Sequence, residues 1–226
     1  ITFDVAPGET VGIIGGTGSG KSSLVNMIPR FYDASQGSVC IDGVDVKDYT
    51  LDELRHKVGV VPQKAVLFAG TIADNIRWGK QDATEAEIDE ALEIAQAKEF
   101  VDGKENGIYF KITQGGKNLS GGQKQRLTIA RAVVRKPEIL ILDDSASALD
   151  FATDAALRKA IREKTKGMTV FLVSQRASTI MNSDKIIVMD DGQIAGIGTH
   201  RQLLSNCEIY REICQSQLSE EELSHE

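Results

Sequence analysis

The stretch Val11-Gly12-Ile13-Ile14-Gly15-Gly16-Thr17-Gly18-Ser19-Gly20-Lys21-Ser22 decides the fold of this 226-residue chain. Its first four residues are a short apolar run, which is typical of a buried strand. A glycine-rich loop follows over 15–20, and a helix-compatible segment runs from Lys21 to Ile28 and stops at Pro29. Strand, loop and helix in this order predict the opening of an α/β fold with a mixed, mostly parallel sheet.

The loop has every fixed position of the pattern G-x-x-x-x-G-K-[ST], which is typical of a phosphate-binding P-loop. Backbone N–H groups must converge on phosphate oxygens, and glycine allows that close approach. Lys21 would bring a point charge to the β- and γ-phosphates, while the Ser22 hydroxyl would bind Mg²⁺. The motif therefore predicts a site for a nucleoside triphosphate with Mg²⁺.

A carboxylate at the end of a buried strand is the usual partner of such a loop. The segment Ile139–Leu142 is four apolar residues long, and Asp143 follows it directly. Open α/β sheets bind ligands at the carboxyl ends of their strands, so Asp143 is predicted to hold Mg²⁺ directly or through water.

The remaining pattern predicts an α/β core over about residues 1–63 and 137–226, with an inserted helical subdomain over about 64–136. Asp42-Gly43 and Asp191-Gly192 are flanked by apolar residues and predict hairpin turns, and hence an antiparallel β region beside the main sheet. A single helix is predicted from Thr199 to beyond Ile213. The chain opens within what the pattern suggests is a strand, so we expect it to be a piece of a longer protein.

Composition excludes several classes of protein. Hydrophobic residues make up 41% and charged residues 26%, which is ordinary for a globular chain and unlike a disordered one. The net charge of −7 argues against a protein that holds nucleic acid through its phosphates. No apolar run reaches the ~18 residues that a membrane span requires.

The pentapeptide Leu119–Gln123, Leu-Ser-Gly-Gly-Gln, is more specific than the P-loop. Together with the strand that ends at Asp143, it resembles the signature of the ATP-binding-cassette (ABC) ATPases. Val61-Pro62-Gln63 resembles the Q-loop of that family, Phe68–Ile76 its continuation in exporters, and Ser145–Asp150 its D-loop. The resemblance covers nearly the whole chain.

The resemblance implies ATP and Mg²⁺ as cofactors and a second nucleotide-binding domain packed head to tail, with ATP between the two. It also implies coupling to the helices of a transmembrane domain upstream, at the cytoplasmic face of the cell membrane. The residues that it assigns to ATP binding are Gly15, Gly16, Thr17, Gly18, Ser19, Gly20, Lys21, Ser22, Ser23 and Gln63. Those assigned to Mg²⁺ are Ser22, Gln63 and Asp143. Leu119, Ser120, Gly121, Gly122 and Gln123 would act on ATP bound to the partner, and the D-loop is Ser145, Ala146, Ser147, Ala148, Leu149 and Asp150.

Two positions depart from the family pattern. Active members have Glu directly after the strand-terminal Asp, where this chain has Asp144, and a switch His where this chain has Gln175. The Asp144 side chain is one methylene shorter, and Gln175 can donate a hydrogen bond but cannot take up a proton. Both changes together resemble the degenerate subunit of a heterodimeric exporter, whose own site hydrolyses ATP poorly.

Other functions remain open at this point. In a conventional homodimeric exporter ATPase, Asp144 and Gln175 would still be catalytic. A DNA-repair or chromosome-organising ATPase would have long coiled coils between P-loop and signature, but only roughly a hundred residues separate them here, without sustained heptads. A plain P-loop kinase leaves the signature unexplained. A module that senses ATP without cleaving it would differ mainly in having no catalytic partner.

Overall fold

The computed structural model of this protein describes residues 1–145 and 147–219. Its strands are β1 (Thr10–Gly15), β2 (Cys40–Ile41), β3 (Val44–Asp45), β4 (Val58–Val61), β5 (Gly70–Thr71), β6 (Lys111–Ile112), β7 (Ile139–Asp143), β8 (Thr169–Val173), β9 (Lys185–Asp190) and β10 (Gln193–Gly198). Its α-helices are α1 (Lys21–Asn26), α2 (Leu51–Lys57), α3 (Ile72–Arg77), α4 (Glu85–Ile94), α5 (Lys98–Asp102), α6 (Gly121–Val133), α7 (Phe151–Lys164), α8 (Ala177–Ile180), α9 (His200–Asn206) and α10 (Glu208–Gln217).

The main sheet is mixed and mostly parallel. Its strand order is β10-β9-β1-β8-β7-β4, and only the β10–β9 pair is antiparallel. Two short antiparallel pairs, β2–β3 and β5–β6, lie outside it. The Asp-Gly turns at 42–43 and 191–192 join β2 to β3 and β9 to β10. The predicted α/β fold class and both hairpins are therefore confirmed.

Apolar cores cover both faces of the sheet. In β7, Leu140 and Leu142 belong to one core and Ile141 to the other, because successive side chains of a strand point to opposite faces. Strand β8 alternates in the same way and is buried at every position. Burial on both faces explains the near-continuous apolar runs in the sequence.

Strands β1, β8, β7 and β4 are consecutive parallel neighbours in the sheet. Their carboxyl ends therefore lie along one edge, and so do the loops that follow them. Three of these strands come from distant parts of the sequence, so the pairing determines which loops meet.

Two local predictions are wrong. The C-terminal helix is interrupted at Cys207, whose φ of −122° and ψ of 105° are extended, so α9 and α10 are separate. Cys207 and Leu203 pack closely against Gly196 of β10, and the break lets the next helix bury Tyr210 and Cys214. In addition, residues 1–6 form no strand: Phe3 and Val5 pack against one of the apolar cores without pairing to a strand of the sheet.

Helices α3 to α6 occupy most of the segment predicted as a helical subdomain, and the division of the chain at 64 and 136 stays a prediction. Within the described ranges 1–145 and 147–219, no helix has the length and apolar character that crossing a membrane requires.

Candidate functional site

Four loops bring the predicted site residues to one edge of the sheet. The P-loop follows β1, Gln63 follows β4, Asp143 ends β7 with Asp144 after it, and Gln175 follows β8. Side-chain contacts join these segments in pairs, as described below. The structure therefore brings together the residues predicted for phosphate, for Mg²⁺ and for the attacking water.

Lys21 lies folded into the P-loop. Its Nζ donates hydrogen bonds to the carbonyl oxygens of Gly15 at 2.8 Å and Gly16 at 2.7 Å, and the residue is only 8% exposed. Burial lowers the pKa of Lys21 from its ordinary value, and the nearby carboxylates of Asp144 and Asp143 oppose that effect. The ammonium group is partly desolvated, and the acceptors of its hydrogen bonds within the loop are neutral oxygens. The oxygens of a bound triphosphate would be negatively charged acceptors, which bind it more strongly.

Glycine is required at two points of the P-loop. A Cβ at Gly15 would lie 2.1 Å from the carbonyl oxygen of Met189, so any side chain there would collide with β9. Gly20 has a φ of 94°, in the left-handed region that other residues rarely adopt, directly before α1. Glycine at these two positions therefore allows the loop to pack closely against β9 and to turn directly into α1.

The predicted Mg²⁺ ligands form a pair of oxygen atoms. Ser22 Oγ donates to Asp143 Oδ1 at 3.0 Å, and burial raises the pKa of Asp143 while this hydrogen bond opposes the shift. A hydroxyl and one carboxylate fit Mg²⁺, which prefers oxygen and takes its other ligands from phosphate and water. Within the described ranges, no group of three or more His, Cys, Asp or Glu side chains is placed so that it could hold a metal ion.

Asp144 is held on two sides. Its backbone N–H donates to Val173 O at 2.8 Å, and its Oδ2 accepts a hydrogen bond from Gln63 Nε2 at 2.9 Å. Its φ of 45° is left-handed, which Asp tolerates better than most residues. Gln63, predicted to bind ATP and Mg²⁺, therefore contacts the carboxylate at the family's glutamate position rather than Ser22 or Asp143.

Gln175 is exposed and reaches the P-loop. Thr17 Oγ1 donates to Gln175 Oε1 at 3.4 Å, which places the predicted switch residue beside the phosphate loop. Arg176 adds two contacts to this segment: its backbone N donates to Ser174 Oγ, and its Nη2 donates to Ser147 O of the D-loop. The switch segment is thus connected to both the P-loop and the D-loop.

The signature residues begin α6. Ser120 is its N-cap and forms a capping box with Gln123: Gln123 N donates to Ser120 Oγ at 3.2 Å, and Ser120 N donates to Gln123 Oε1 at 3.1 Å. Ser120 and Gly121 are exposed, whereas Leu119 is buried. The first N–H groups of a helix have no intrahelical acceptor, so this helix start is suited to an anion.

The D-loop packs against the signature helix. A Cβ at Gly122 would lie 3.2 Å from Ala148 O, Leu149 is buried, and Asp150 caps α7 by accepting from Thr153 N. The predicted D-loop residue Ala146 lies outside the described residues. Ser23 is exposed on α1.

Two residues at this edge are absent from the sequence-based set. Arg176 joins the switch segment to the D-loop and lies over the ring of Phe151, with its guanidinium carbon 5.5 Å from the ring centroid. Gln217, at the end of α10, hydrogen-bonds to the backbone on both sides of Arg176. Neither residue belongs to a local motif, so only the tertiary contacts reveal them.

Comparison with known proteins gives consistent matches. The ABC transporter family profile matches residues 1–147. An uncharacterized ABC transporter ATP-binding protein of Mycobacterium tuberculosis is 46% identical over 220 residues, which are 96% of this chain and 38% of that protein. The ATP-dependent lipid A-core flippase of Hahella chejuensis is 43% identical over 221 residues, 97% of this chain and 38% of the flippase.

One solved structure, described as a bacterial Atm1-family ABC exporter with ATP bound, matches with a TM-score of 0.92 and 39% identity. The match covers 96% of this chain and 38% of that chain. This chain therefore spans less than two fifths of the proteins that it matches.

Proposed function

This chain belongs to the ABC transporter family, as an ATP-binding domain of exporter type, and on that premise we propose that it is one half of a heterodimeric exporter's ATPase pair. Its P-loop binds Mg-ATP at a composite site that hydrolyses ATP poorly. Its Leu119–Gln123 signature completes the hydrolytic site of a non-identical sister subunit. The pair works at the cytoplasmic face of the cell membrane, coupled to transmembrane helices.

The position of Asp144 carries this proposal. Its carboxylate is one methylene shorter than the family's glutamate, and both the Val173 carbonyl and the Gln63 amide hold the residue in place. A misplacement of ~1 Å at a reacting group can cost about 10²-fold in rate. Gln175, which contacts Thr17 of the P-loop, can donate a hydrogen bond to a phosphate oxygen but cannot take up a proton.

Binding and orientation are retained in this arrangement. Lys21 and the P-loop N–H groups would hold the triphosphate, and Ser22 with Asp143 would hold Mg²⁺. Bound Mg²⁺ would neutralise phosphate charge. Two relatives support export as the process driven: the lipid A-core flippase, and a probable multidrug resistance transporter of Bacillus subtilis that is 46% identical over 212 residues.

We expect the chain to bind Mg-ATP while turning it over at least about 10²-fold more slowly than the sister site does. The transporter would be loaded with radiolabelled ATP, and the ATP and ADP retained on each subunit would be counted over time. Brisk turnover by this chain without a sister subunit would instead identify the conventional homodimeric ATPase.

Replacing Lys21 by Met is expected to weaken Mg-ATP binding by about 10-fold or more, because charge-assisted hydrogen bonds contribute ~1.5–3 kcal/mol each. Binding would be measured by equilibrium titration with a fluorescent ATP analogue. Lys47→Met, on the exposed β3–α2 segment, is the matched control and should leave the dissociation constant unchanged. Equal affinities of the Lys21 and Lys47 variants would contradict the assignment of this loop to ATP.

A further inference from the structure

The side-chain amide of Gln217 makes two hydrogen bonds to the switch segment. Its Nε2 donates to Gln175 O at 2.8 Å, and its Oε1 accepts from Ala177 N at 2.8 Å. The two contacts join positions 42 and 40 residues apart in the sequence. One planar amide thus fixes the backbone on both sides of Arg176.

The contact with Ala177 replaces a missing helix cap. Ala177 begins α8, and the N-cap residue of that helix, Arg176, provides no side-chain cap. The first N–H groups of a helix need an acceptor from outside it. Gln217 supplies that acceptor from α10, so the start of α8 depends on the C-terminal helix.

Helix α10 is itself well anchored. Cys214 and Tyr210 are fully buried, about one and two turns before Gln217, and the Tyr210 hydroxyl lies 2.7 Å from His200 Nδ1 on α9. Gln217 itself is exposed, so the two hydrogen bonds of its side-chain amide, rather than apolar packing, connect it to the switch segment. The buried anchor sets where the amide sits.

We propose that Gln217 is a positioning residue that aims Gln175 at the phosphate loop. Gln217 donates a hydrogen bond to the backbone carbonyl of Gln175, which restrains the main chain from which the Gln175 side chain extends. That side chain in turn accepts a hydrogen bond from Thr17 of the P-loop. Without the amide, the segment between β8 and α8 would lose both of these hydrogen bonds, and Gln175 would be less firmly held beside Thr17 and the predicted phosphate site. The inference rests on the proposed function only in that this site binds ATP.

The experiment uses the full transporter and radiolabelled azido-ATP, with the photolabel on this subunit measured against nucleotide concentration. Gln217→Met keeps the length of the side chain and removes both hydrogen bonds, and we expect about 3- to 10-fold weaker labelling affinity. Gln217→Glu keeps only the acceptor for Ala177 and should be intermediate. Gln215→Met, on an exposed position of the same helix, is the matched control and should change nothing.

A double-mutant cycle separates positioning from a general structural role. In a Gln175→Ala background, Gln217→Met should change the affinity less than 2-fold, since the residue it positions has gone. An equal loss in both backgrounds, or no loss in either, would overturn the proposal. Because the readout is affinity, a site that turns out to hydrolyse ATP rapidly would refute the proposed function while leaving this result intact.

Discussion

Replacing Asp144 by Glu and Gln175 by His together is expected to raise ATP hydrolysis at this chain's own site by about 10²-fold. The added methylene moves the carboxylate toward the attacking water, and an imidazole supplies a hydrogen bond donor that can also carry a proton. ATP turnover of the assembled pair would be measured with the sister site inactivated. Each single variant should give only part of the increase.

The controls for this gain of function lie in the same chain. Asp42, in the β2–β3 turn, also has a left-handed φ, of 53°. Asp42→Glu therefore places a Glu in the same backbone conformation as Asp144→Glu does, but away from the site. Gln215→His repeats the second change on the exposed face of α10. If the Asp144 and Gln175 double variant folds and binds ATP but turns over no faster than this control pair, the shortened carboxylate is not what limits hydrolysis.

Replacing Gly122 by Asp is expected to lower the rate of ATP hydrolysis at the sister subunit's site by about 10²-fold or more, while this chain still binds ATP. Gly122 is the second residue of α6, so the new carboxylate would occupy the helix end at which the partner's phosphates are proposed to dock. An acidic side chain at a helix N-terminus is itself favourable, so stability should not fall for electrostatic reasons. The Cβ would lie 3.2 Å from Ala148 O, so the D-loop backbone would have to shift by a few tenths of an ångström, and the melting temperature reports the cost of that shift.

Gly103→Asp is the matched control for this variant. Gly103 follows α5, has a φ of −75°, and a Cβ there would meet no heavy atom closer than 3.6 Å. Turnover at the sister site and the melting temperature of each variant would be measured together. Normal sister-site turnover in a folded Gly122→Asp protein would show that the signature of this chain serves no partner.

Much of the site could be predicted because its motifs are local. The P-loop spacing, the strand ending at Asp143 and the capping box at Ser120 each depend on residues close in sequence. The resemblance to the ABC ATPases marked the departures at Asp144 and Gln175. What it could not predict was the partner of each side chain: Gln63 contacts Asp144, and Lys21 turns back onto its own loop.

The broken C-terminal helix is a second case in which local sequence pattern does not predict a tertiary contact. The pattern from Thr199 onward is compatible with one helix, and the capping box at its start is present. The break at Cys207 arises because Leu203 and Cys207 must pack on Gly196 of β10 while Tyr210 enters the core. That demand comes from a strand and a core distant in sequence from the helix itself.

The sequence by itself was enough to predict the kind of fold, from its apolar periodicity, and the family, from the resemblance of its motifs. It also predicted a phosphate loop and a metal carboxylate, because those predictions depend on short local spacings. The tertiary structure alone decided that β1, β8, β7 and β4 stand side by side, so that loops more than a hundred residues apart share one edge. It alone placed Gln217 on the switch segment. Hydrogen bonds between distant segments leave no periodic trace in a sequence, since any residue of suitable length and polarity can make them once packing has brought the segments together.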